Sequence, residues 1–468
     1  MLISLCLGSI THVPGQTDAH YWTHQYGAKG LLMNGAVIAD PSDETSLFYN
    51  PGAMGKSDNV GFAFSFFTPT LATLSISNLL GDEGSYNDTS FDLAPGFLAV
   101  RLRPFNNGNI TLGIASFQRL NTELSYRDRK IGLSSDTPQD IFRSEVDFNR
   151  SLSQSWHGIG ISWNVTDRLG IGITQFSVWH NESFNLDIKR ELYARTTPNS
   201  LSVGIRSRIN YDISIKSSFL SKVGMAYEGD TYRLGMTFTS PIYGGMRKRA
   251  EYLFDYLTRE ERRETEVSSN RPQIDLADFK TPYSIGLGLE INKNDWIIAF
   301  SAEYFGKIDP YYVMNDIDDP FDGLLTEAVG ETFELTYANK AVINFSIGAQ
   351  KKVNDKESIL MGFRTDFNQR NSFDLNSNLN LTDTNPNVYH VSGGGLFEVK
   401  NNFLSLGFDY GIGIRKNGQQ LFDSNEVNRE NLLEFASDNN VKSTYHSATL
   451  FLTYDFILSR FSTMDDEN

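Results

Sequence analysis

The stretch Phe403-Leu404-Ser405-Leu406-Gly407-Phe408-Asp409-Tyr410-Gly411-Ile412-Gly413-Ile414 carries the pattern on which the fold turns. Leu404, Leu406, Phe408, Tyr410, Ile412 and Ile414 share one face; Ser405, Gly407, Asp409, Gly411 and Gly413 share the other. A period of two is that of a β-strand. The same alternation returns, between turn signals, from Asn59 onward. Over residues 201–227 Val203, Ile205, Ile209, Tyr211, Ile213 and Ile215 lie on the odd face, with Gly204, Arg206, Arg208, Asn210, Asp212 and Lys216 on the even face. That run is longer than an ordinary strand and suits one that crosses a bilayer at a tilt and continues beyond it. Trp296, Ile298, Phe300, Ala302 and Tyr304 oppose Ser301 and Glu303, and Leu450, Leu452, Tyr454 and Phe456 oppose Ser447, Thr449, Thr453 and Asp455.

Connection lengths add a second pattern. Six connections are short and polar (106–109, 166–168, 228–230, 292–295, 353–356 and 400–402). Between them lie seven longer or charged ones, at 78–90, 127–141, 190–199, 244–281, 311–331, 374–387 and 417–443. Short and long alternate strictly, which requires fourteen strands with both ends on the short-turn side. Short periplasmic turns, long extracellular loops and an even strand count describe a transmembrane β-barrel. Aromatics near strand ends, at Trp156, Trp163, Trp296, Tyr304, Tyr454 and Phe456, are read as interfacial girdles.

Composition agrees. The 468 residues carry 41 Lys+Arg against 57 Asp+Glu, a formal charge of −16, which argues against a nucleic-acid binder. There are 33 Phe and 21 Tyr, yet the mean hydropathy is negative. No run of about 18 apolar residues occurs, which argues against a helical membrane bundle. Alternation reconciles the two: apolar rings face lipid while small polar groups line the lumen. Residues 1–19 read as an export signal. Residues 2–10 are apolar but too short to span a bilayer, although the usual positively charged start is missing; the alternative is a buried N-terminal strand. The single cysteine, Cys6, falls in this leader, so disulfides, thiolate metal sites and Cys nucleophiles are not expected in the mature chain.

Residues 20–56 do not alternate. They hold Gly27, Gly30, Gly35, Gly52 and Gly55, the apolar patches Leu31-Leu32-Met33 and Ala36-Val37-Ile38-Ala39, and the acidic Asp40, Asp43 and Glu44. A barrel of about fourteen strands has a lumen too wide for its own side chains to fill, so this segment is expected to plug it. Tyr26-Gly27-Ala28-Lys29-Gly30, Gly35-Ala36-Val37-Ile38-Ala39-Asp40 and Tyr49-Asn50-Pro51-Gly52-Ala53 resemble the N-terminal hatch of the FadL/TodX family. These are outer-membrane transporters of long-chain fatty acids and aromatic hydrocarbons. The matching positions are Gly27, Gly30, Gly35, Asp40, Asn50 and Pro51, with Gly52 standing where the family has Ala. Hatch-like openings also occur in related barrels such as type IX secretion shuttles. The resemblance implies a hatch in the lumen, a hydrophobic ligand pocket, and sideways exit at an inward kink of the third strand. Residues 117–124, where alternation weakens, are the candidate for that kink.

The expected organisation is a signal peptide (1–19), a hatch (20–56), a fourteen-stranded antiparallel transmembrane barrel (57–461) and a periplasmic tail (462–468). Inward-facing Phe305, Leu360, Leu396 and Phe451 are candidate pocket residues. Arg206, Arg208 and Arg364, on the lumenal register with Arg101, Arg103, Glu303, Asp366 and Asp409, either hold an anionic head group or anchor the acidic hatch. Residues 246–266 read as a helix-like stretch with Ala250, Leu253 and Leu257 at helical spacing and Arg259 alongside. This is either an extracellular capture surface or a helix packed on the rim. The acidic run Asn315, Asp316, Asp318, Asp319 and Asp322 lacks calcium-loop spacing and reads as a solvated loop. The seven histidines form no helical metal pair, and no nucleophile elbow or phosphate loop appears. No catalytic residue, metal or cofactor is expected. The expected activity is passive transport of hydrophobic small molecules, fatty acids or aromatic hydrocarbons, by a monomer in a Gram-negative outer membrane, touching its lipid and lipopolysaccharide. A non-transporting barrel acting as a secretion shuttle or adhesin is the alternative.

Overall fold

The computed structural model describes residues 19–40, 44–56, 60–65, 68–78, 85–94, 97–104, 109–133, 140–193, 201–260, 263–271, 279–312, 336–370, 386–400, 402–418 and 440–458. It gives backbone alone for 60–65, 68, 92–94, 201–211, 245–260, 263–271, 312, 336 and 457–458. The proposed leader and tail lie outside these residues, apart from Ala19, and so does the acidic run near Asp318.

Strands dominate wherever alternation was read. The chain opens with two short helices, α1 (Ala28–Leu32) and α2 (Ser46–Tyr49), and a 3-10 turn at Pro51–Ala53. The first strands are β1 (Val60–Ser65), β2 (Thr68–Ser77), β3 (Ser85–Ala94) and β4 (Leu98–Leu102). The long strands β5 (Ile110–Leu133), β6 (Ile141–Asn164), β7 (Leu169–Tyr193) and β8 (Leu201–Glu228) follow. Next come β9 (Tyr232–Thr239), β10 (Tyr243–Glu260), β11 (Arg263–Arg271), β12 (Ser284–Lys293), β13 (Trp296–Phe305), β14 (Ile308–Tyr312) and β15 (Thr336–Asn339). The chain ends with β16 (Val342–Asn354), β17 (Glu357–Asp366), β18 (Val388–Val399), β19 (Asn402–Gly418) and β20 (Val441–Leu458). Among the described residues no helix is long and apolar enough to cross a membrane.

All pairings are antiparallel. From β4 they run through β5, β6, β7, β8, β9, β12, β13, β16, β17, β18 and β19 to β20, and β1 pairs with both β20 and β4. A second tier continues some of these strands upward: β2 pairs with β20 and β3, and β10 with β8 and β11. Each short polar connection named above falls between two consecutive antiparallel strands.

The faces divide as the alternation requires. Trp296, Ile298 and Phe300 are exposed on the outside, and Ser301 and Glu303 are buried within. Leu406, Phe408, Leu450 and Leu452 are exposed, opposite buried Ser405, Asp409, Ser447 and Thr453. Trp163 and Trp296 face outward, but Trp156 does not belong to a girdle: it packs inside with Phe117 and Phe176. On β6 the outer face is apolar at Ile159, Ile161 and Trp163, then turns polar above, at Ser155, Ser153, Asp147, Glu145 and Arg143. The inner face turns the other way, to Leu152, Phe148, Val146 and Phe142.

Two expectations fail for backbone reasons. On β8, Ser218 pairs with Val178 but Ile215 pairs with His180, and Ser217 has a φ of 58°. A bulge of this kind moves side chains to the opposite face. Below it Lys222 and Ala226 are buried while Val223 and Met225 are exposed; above it Ile213 and Ile215 are buried and Asp212 and Lys216 are exposed. Arg206 and Arg208, expected in the lumen, thus share the register of Asp212, opposite Lys189 and Asp187 of β7. Their side chains lie outside the described residues. The stretch expected to be helical is the strand pair β10 and β11, with β10 continuing along β8. The period-two series Ala250, Tyr252, Phe254 and Tyr256 overrides the thin helical stripe of Ala250, Leu253 and Leu257. The long free edge of β8 supplies it with a partner. Leu253, Leu257 and Arg259 are therefore strand residues, paired with Asn210, Arg206 and Gly204.

Candidate lumenal binding site

The hatch residues form the floor of the site. Gly27, with φ of 72°, and Gly35, with φ of 82°, take backbone conformations that favour glycine on either side of α1. The Asn50 side chain donates to the Ile38 carbonyl at 2.8 Å and to the Met225 carbonyl of β8 at 3.0 Å, and its Oδ1 accepts from Gly52 N–H at 3.0 Å. This one amide ties two parts of the hatch to the wall. A Cβ at Gly52 would lie 2.6 Å from the Gly224 carbonyl oxygen, so glycine is what this contact admits where the resembled family has alanine.

Charge fastens the lower edge. Lys29 bridges Asp40 at 3.2 Å and Glu290 at 2.8 Å, and Arg233 reaches Asp40, Glu290 and Glu228. Burial raises the Asp40 carboxyl, but Lys29 and Arg233 outweigh it and hold the group below its ordinary range. Arg101 pairs with Glu44 at 3.5 Å, and Arg103 donates to the Gly55 carbonyl at 3.0 Å. Higher up, Trp22 donates its backbone N–H to Asp366 at 3.0 Å and its indole N–H to Glu303 at 2.8 Å. Arg364 donates to Asn34 Oδ1 and, at 3.2 Å, to the Thr23 carbonyl, and lies 3.4 Å from Asp409. Lumenal Arg101, Arg103, Arg364, Glu303 and Asp366 thus fasten the hatch.

Of the apolar candidates only Phe305 lines the cavity above the hatch, stacked on Tyr21 with ring centres 4.2 Å apart. Leu360, Leu396 and Phe451 pack on Leu32 and Met33 of the hatch. They are inward, as expected, but belong to the seal between plug and wall.

The cavity itself has about 100 Å³ of open space. Trp22, Phe48, Trp156, Phe279, Phe305 and Tyr311 supply its aromatic lining. Two cations face this lining. Lys222, on β8, is 6% exposed, and its ammonium lies 5.0 Å above the Phe48 ring. Among the described residues it has no hydrogen bond or ion pair. Arg119, 7% exposed, donates one Nη to the Tyr21 carbonyl, and its buried Nη1 has no partner. Half-buried His24 joins them; burial, followed by Arg119, Arg364 and His390, lowers its pKa to about 3. Neither cation was singled out from the sequence. The usable signal was Lys222 itself, which continues the even face of residues 201–227; nothing in that alternation marks it apart from Lys216, which the bulge at Ser217 turns outward.

Arg119 is also the extra residue of a bulge in β5. Gln118 pairs with Ser155 and Leu120 with Gln154, and Arg119 pairs with neither. This lies inside the stretch of weakened alternation. On its other side β5 pairs with β4 only up to Ser116↔Leu98, and no β3–β5 pairing is described above it. Among the described residues no three His, Cys, Asp or Glu side chains cluster as a metal site.

No family model matches the chain, and no curated protein matches it. Solved structures do. A Pseudomonas aeruginosa FadL homologue aligns over 96% of this chain and 100% of its own, at 13% identity and a TM-score of 0.56. A deletion mutant of the monoaromatic hydrocarbon channel TodX covers 93% and 100%, at 15% identity and 0.58. The P. putida toluene transporter TodX covers 92% and 98%, at 12% identity and 0.54. At such identities the likeness is one of architecture, and on that ground this all-antiparallel chain with its hatch has the FadL/TodX fold.

Proposed function

We propose that the chain is a fourteen-stranded outer-membrane barrel that takes up amphipathic small molecules, long-chain fatty acids foremost. They bind above the hatch and leave sideways beside the bulge at Arg119. The exposed apolar outer face, ending on β6 between Ile159 and Ser155, supports a lipid-facing band with a water-facing wall above it. The FadL homologue and the hydrocarbon channels with the same architecture support the hydrophobic cargo.

The observation that carries the reading is the buried pair of cations, Lys222 and the partnerless Nη1 of Arg119, facing an aromatic cavity. Glu303 lines the same cavity but already accepts from Trp22 and Ser284, so the two cations outnumber it, and an undercompensated buried charge costs several kcal/mol. An incoming carboxylate compensates both cations, while the rings around it accept the adjoining chain. Magnitude limits what fits at once. A cavity of about 150 Å³ holds benzene, so this one takes a head group or one ring. A long chain therefore needs the hatch or the upper elements to move.

The test compares oleate with oleyl alcohol by titration into the purified chain. Charged hydrogen bonds contribute about 1.5–3 kcal/mol. Lys222→Met should therefore weaken oleate about 10- to 100-fold and leave the alcohol unchanged. Equal affinities for the two ligands, together with an indifferent Lys222→Met, overturn the anionic-cargo reading.

A further inference from the structure

Among the described residues the strand pairing is interrupted at a second place, far from the bulge at Arg119. Between β9 and β12 the pairing runs from Tyr232↔Ile291 up to Thr239↔Ser284, and on the same line it resumes between β10 and β11 at Tyr252↔Arg271. Between those points residues 240–242 and 279–283 belong to no strand, residues 243–251 are part of β10, and residues 272–278 lie outside the described ones. One hydrogen bond is described across the gap, from Ile242 N–H to Thr281 Oγ1 at 2.9 Å. Along the pairing path the whole of β5, β6, β7 and β8 separates this gap from the one between β3 and β5.

In the gap lies a hollow lined by the buried Ile215 and Ser218 of β8 and, toward the outside, by the exposed Tyr243 and Tyr283, with Pro241, Ile242 and Ile308 among the residues between. Its inner wall is Phe279, Lys280, Thr281 and Pro282, and these same four residues line the cavity above the hatch. A partition one segment thick thus separates the two spaces. Ile242 packs from this side against the lumenal cluster that holds Phe176, Val178 and Leu220. The outer rim sits where the exposed apolar band ends. Phe238, Ile285 and Leu287 are exposed below it, Tyr243 and Tyr283 flank it, and the exposed Lys280, Lys307 and Asp309 lie above. Amphipathic rings with cations beyond them mark the level at which a leaflet's apolar tails meet its head groups.

We propose that this hollow is a second lateral portal. It binds the tail of a single-chain anionic amphiphile dissolved in the outer leaflet, and residues 279–282 are its gate. An apolar tail that enters here passes from lipid to an aromatic cavity without crossing water, which removes the largest cost of its transfer. Lys280 and Lys307 hold the head group at the rim while the tail goes in. The inference rests on the uptake reading above and gives the chain two side openings, one beside β5 and one between the lines of β9–β10 and β11–β12.

The test uses the full chain in lipid nanodiscs with a fatty acid that carries a photoreactive diazirine on its tail, the adducts being mapped by mass spectrometry. In a Cys6→Ser background, Ile242→Cys with Thr281→Cys is intended to bolt the gap by a disulfide across the contact described; Ile242→Trp closes it by bulk. When the fatty acid is supplied from the bilayer, adducts are expected at Tyr243, Phe279 and Phe305. Those at Phe305 should be lost on oxidation, return on reduction, and be lost in Ile242→Trp. Adducts at Phe305 that persist through both closures overturn the portal while leaving uptake intact. If Phe305 is never labelled, even with the fatty acid supplied from water to the unmodified chain, both readings fall.

Discussion

Between the hatch and strands β7–β9 there is no room for a methyl group. A Cβ at Gly224 would lie 2.2 Å from Asn50 Oδ1, and one at Gly172 would lie 2.3 Å from the Pro51 carbonyl oxygen. Two residues away on the same strand, Lys222 is buried beside open space with the Phe48 ring 5.0 Å from its ammonium and Glu303 on the same cavity lining. The hatch is thus packed to contact along β7–β9, and its lower charges are neutralised by Lys29, Asp40, Glu290 and Arg233, beside a space of about 430 Å³ that Lys29, Asp40, Glu44 and Arg101 help to line. The upper cavity differs in its charge, with Arg119 and Lys222 set against Glu303. The contrast teaches that the plug is held at its base by close contact with β7–β9, while the cations above it outnumber the acid beside them, as the proposed anionic cargo requires.

The contrast breaks most severely at its best-neutralised point. Lys29→Met leaves Asp40 and Glu290 with Arg233 alone, and removing one partner of a buried ion pair costs about 3–5 kcal/mol. Amide hydrogen exchange across residues 28–40 should quicken by more than about a hundredfold, while exchange in β16–β19 stays slow. A smaller effect is expected at Gly52→Ala, where the added methyl meets the Gly224 carbonyl. Overpacking of this kind costs about 1–3 kcal/mol, which thermal unfolding of the hatch should register.

A third effect is a pH dependence. His24 has its pKa held down to about 3 in the folded chain, against about 6.5 when unfolded. The folded state therefore binds fewer protons at this site. The stabilisation is present in full above about pH 6.5 and is lost as pH falls through that value toward 3. Hatch protection from hydrogen exchange should fall over this window, and His24→Gln should flatten part of the slope. An unchanged slope in the variant would place the titration elsewhere.

Much of the architecture was legible because alternation is a local property. Face assignments at Phe403–Ile414 and around Trp296 needed only a period of two. The turns at Thr166, Glu228 and Asn292 announced themselves by composition. The glycines and Asn50 of the hatch stood out in the sequence only through the family resemblance; the left-handed backbone at Gly27 and Gly35 and the hydrogen bonds of Asn50 give them a physical reason. What stayed hidden depended on a single backbone event. The bulge at Ser217 inverts the faces of β8, so Arg206 and Arg208 share the backbone register of exposed Asp212 rather than that of buried Lys222. The pairing of β10 with β8 is a long-range contact, and it overrode a weak helical stripe between Ala250 and Leu257. Leu360 and Phe451 were rightly seen as inward, but whether an inward leucine meets a ligand or a plug depends on where Leu32 and Met33 dock, which the strand's own sequence does not encode.

The most direct test of the central claim is uptake of labelled oleate by cells with and without this chain, at matched surface expression and with Lys222→Met alongside. Faster uptake with the chain, reduced toward background by Lys222→Met, is the result expected. Equal uptake with and without the chain would contradict the account.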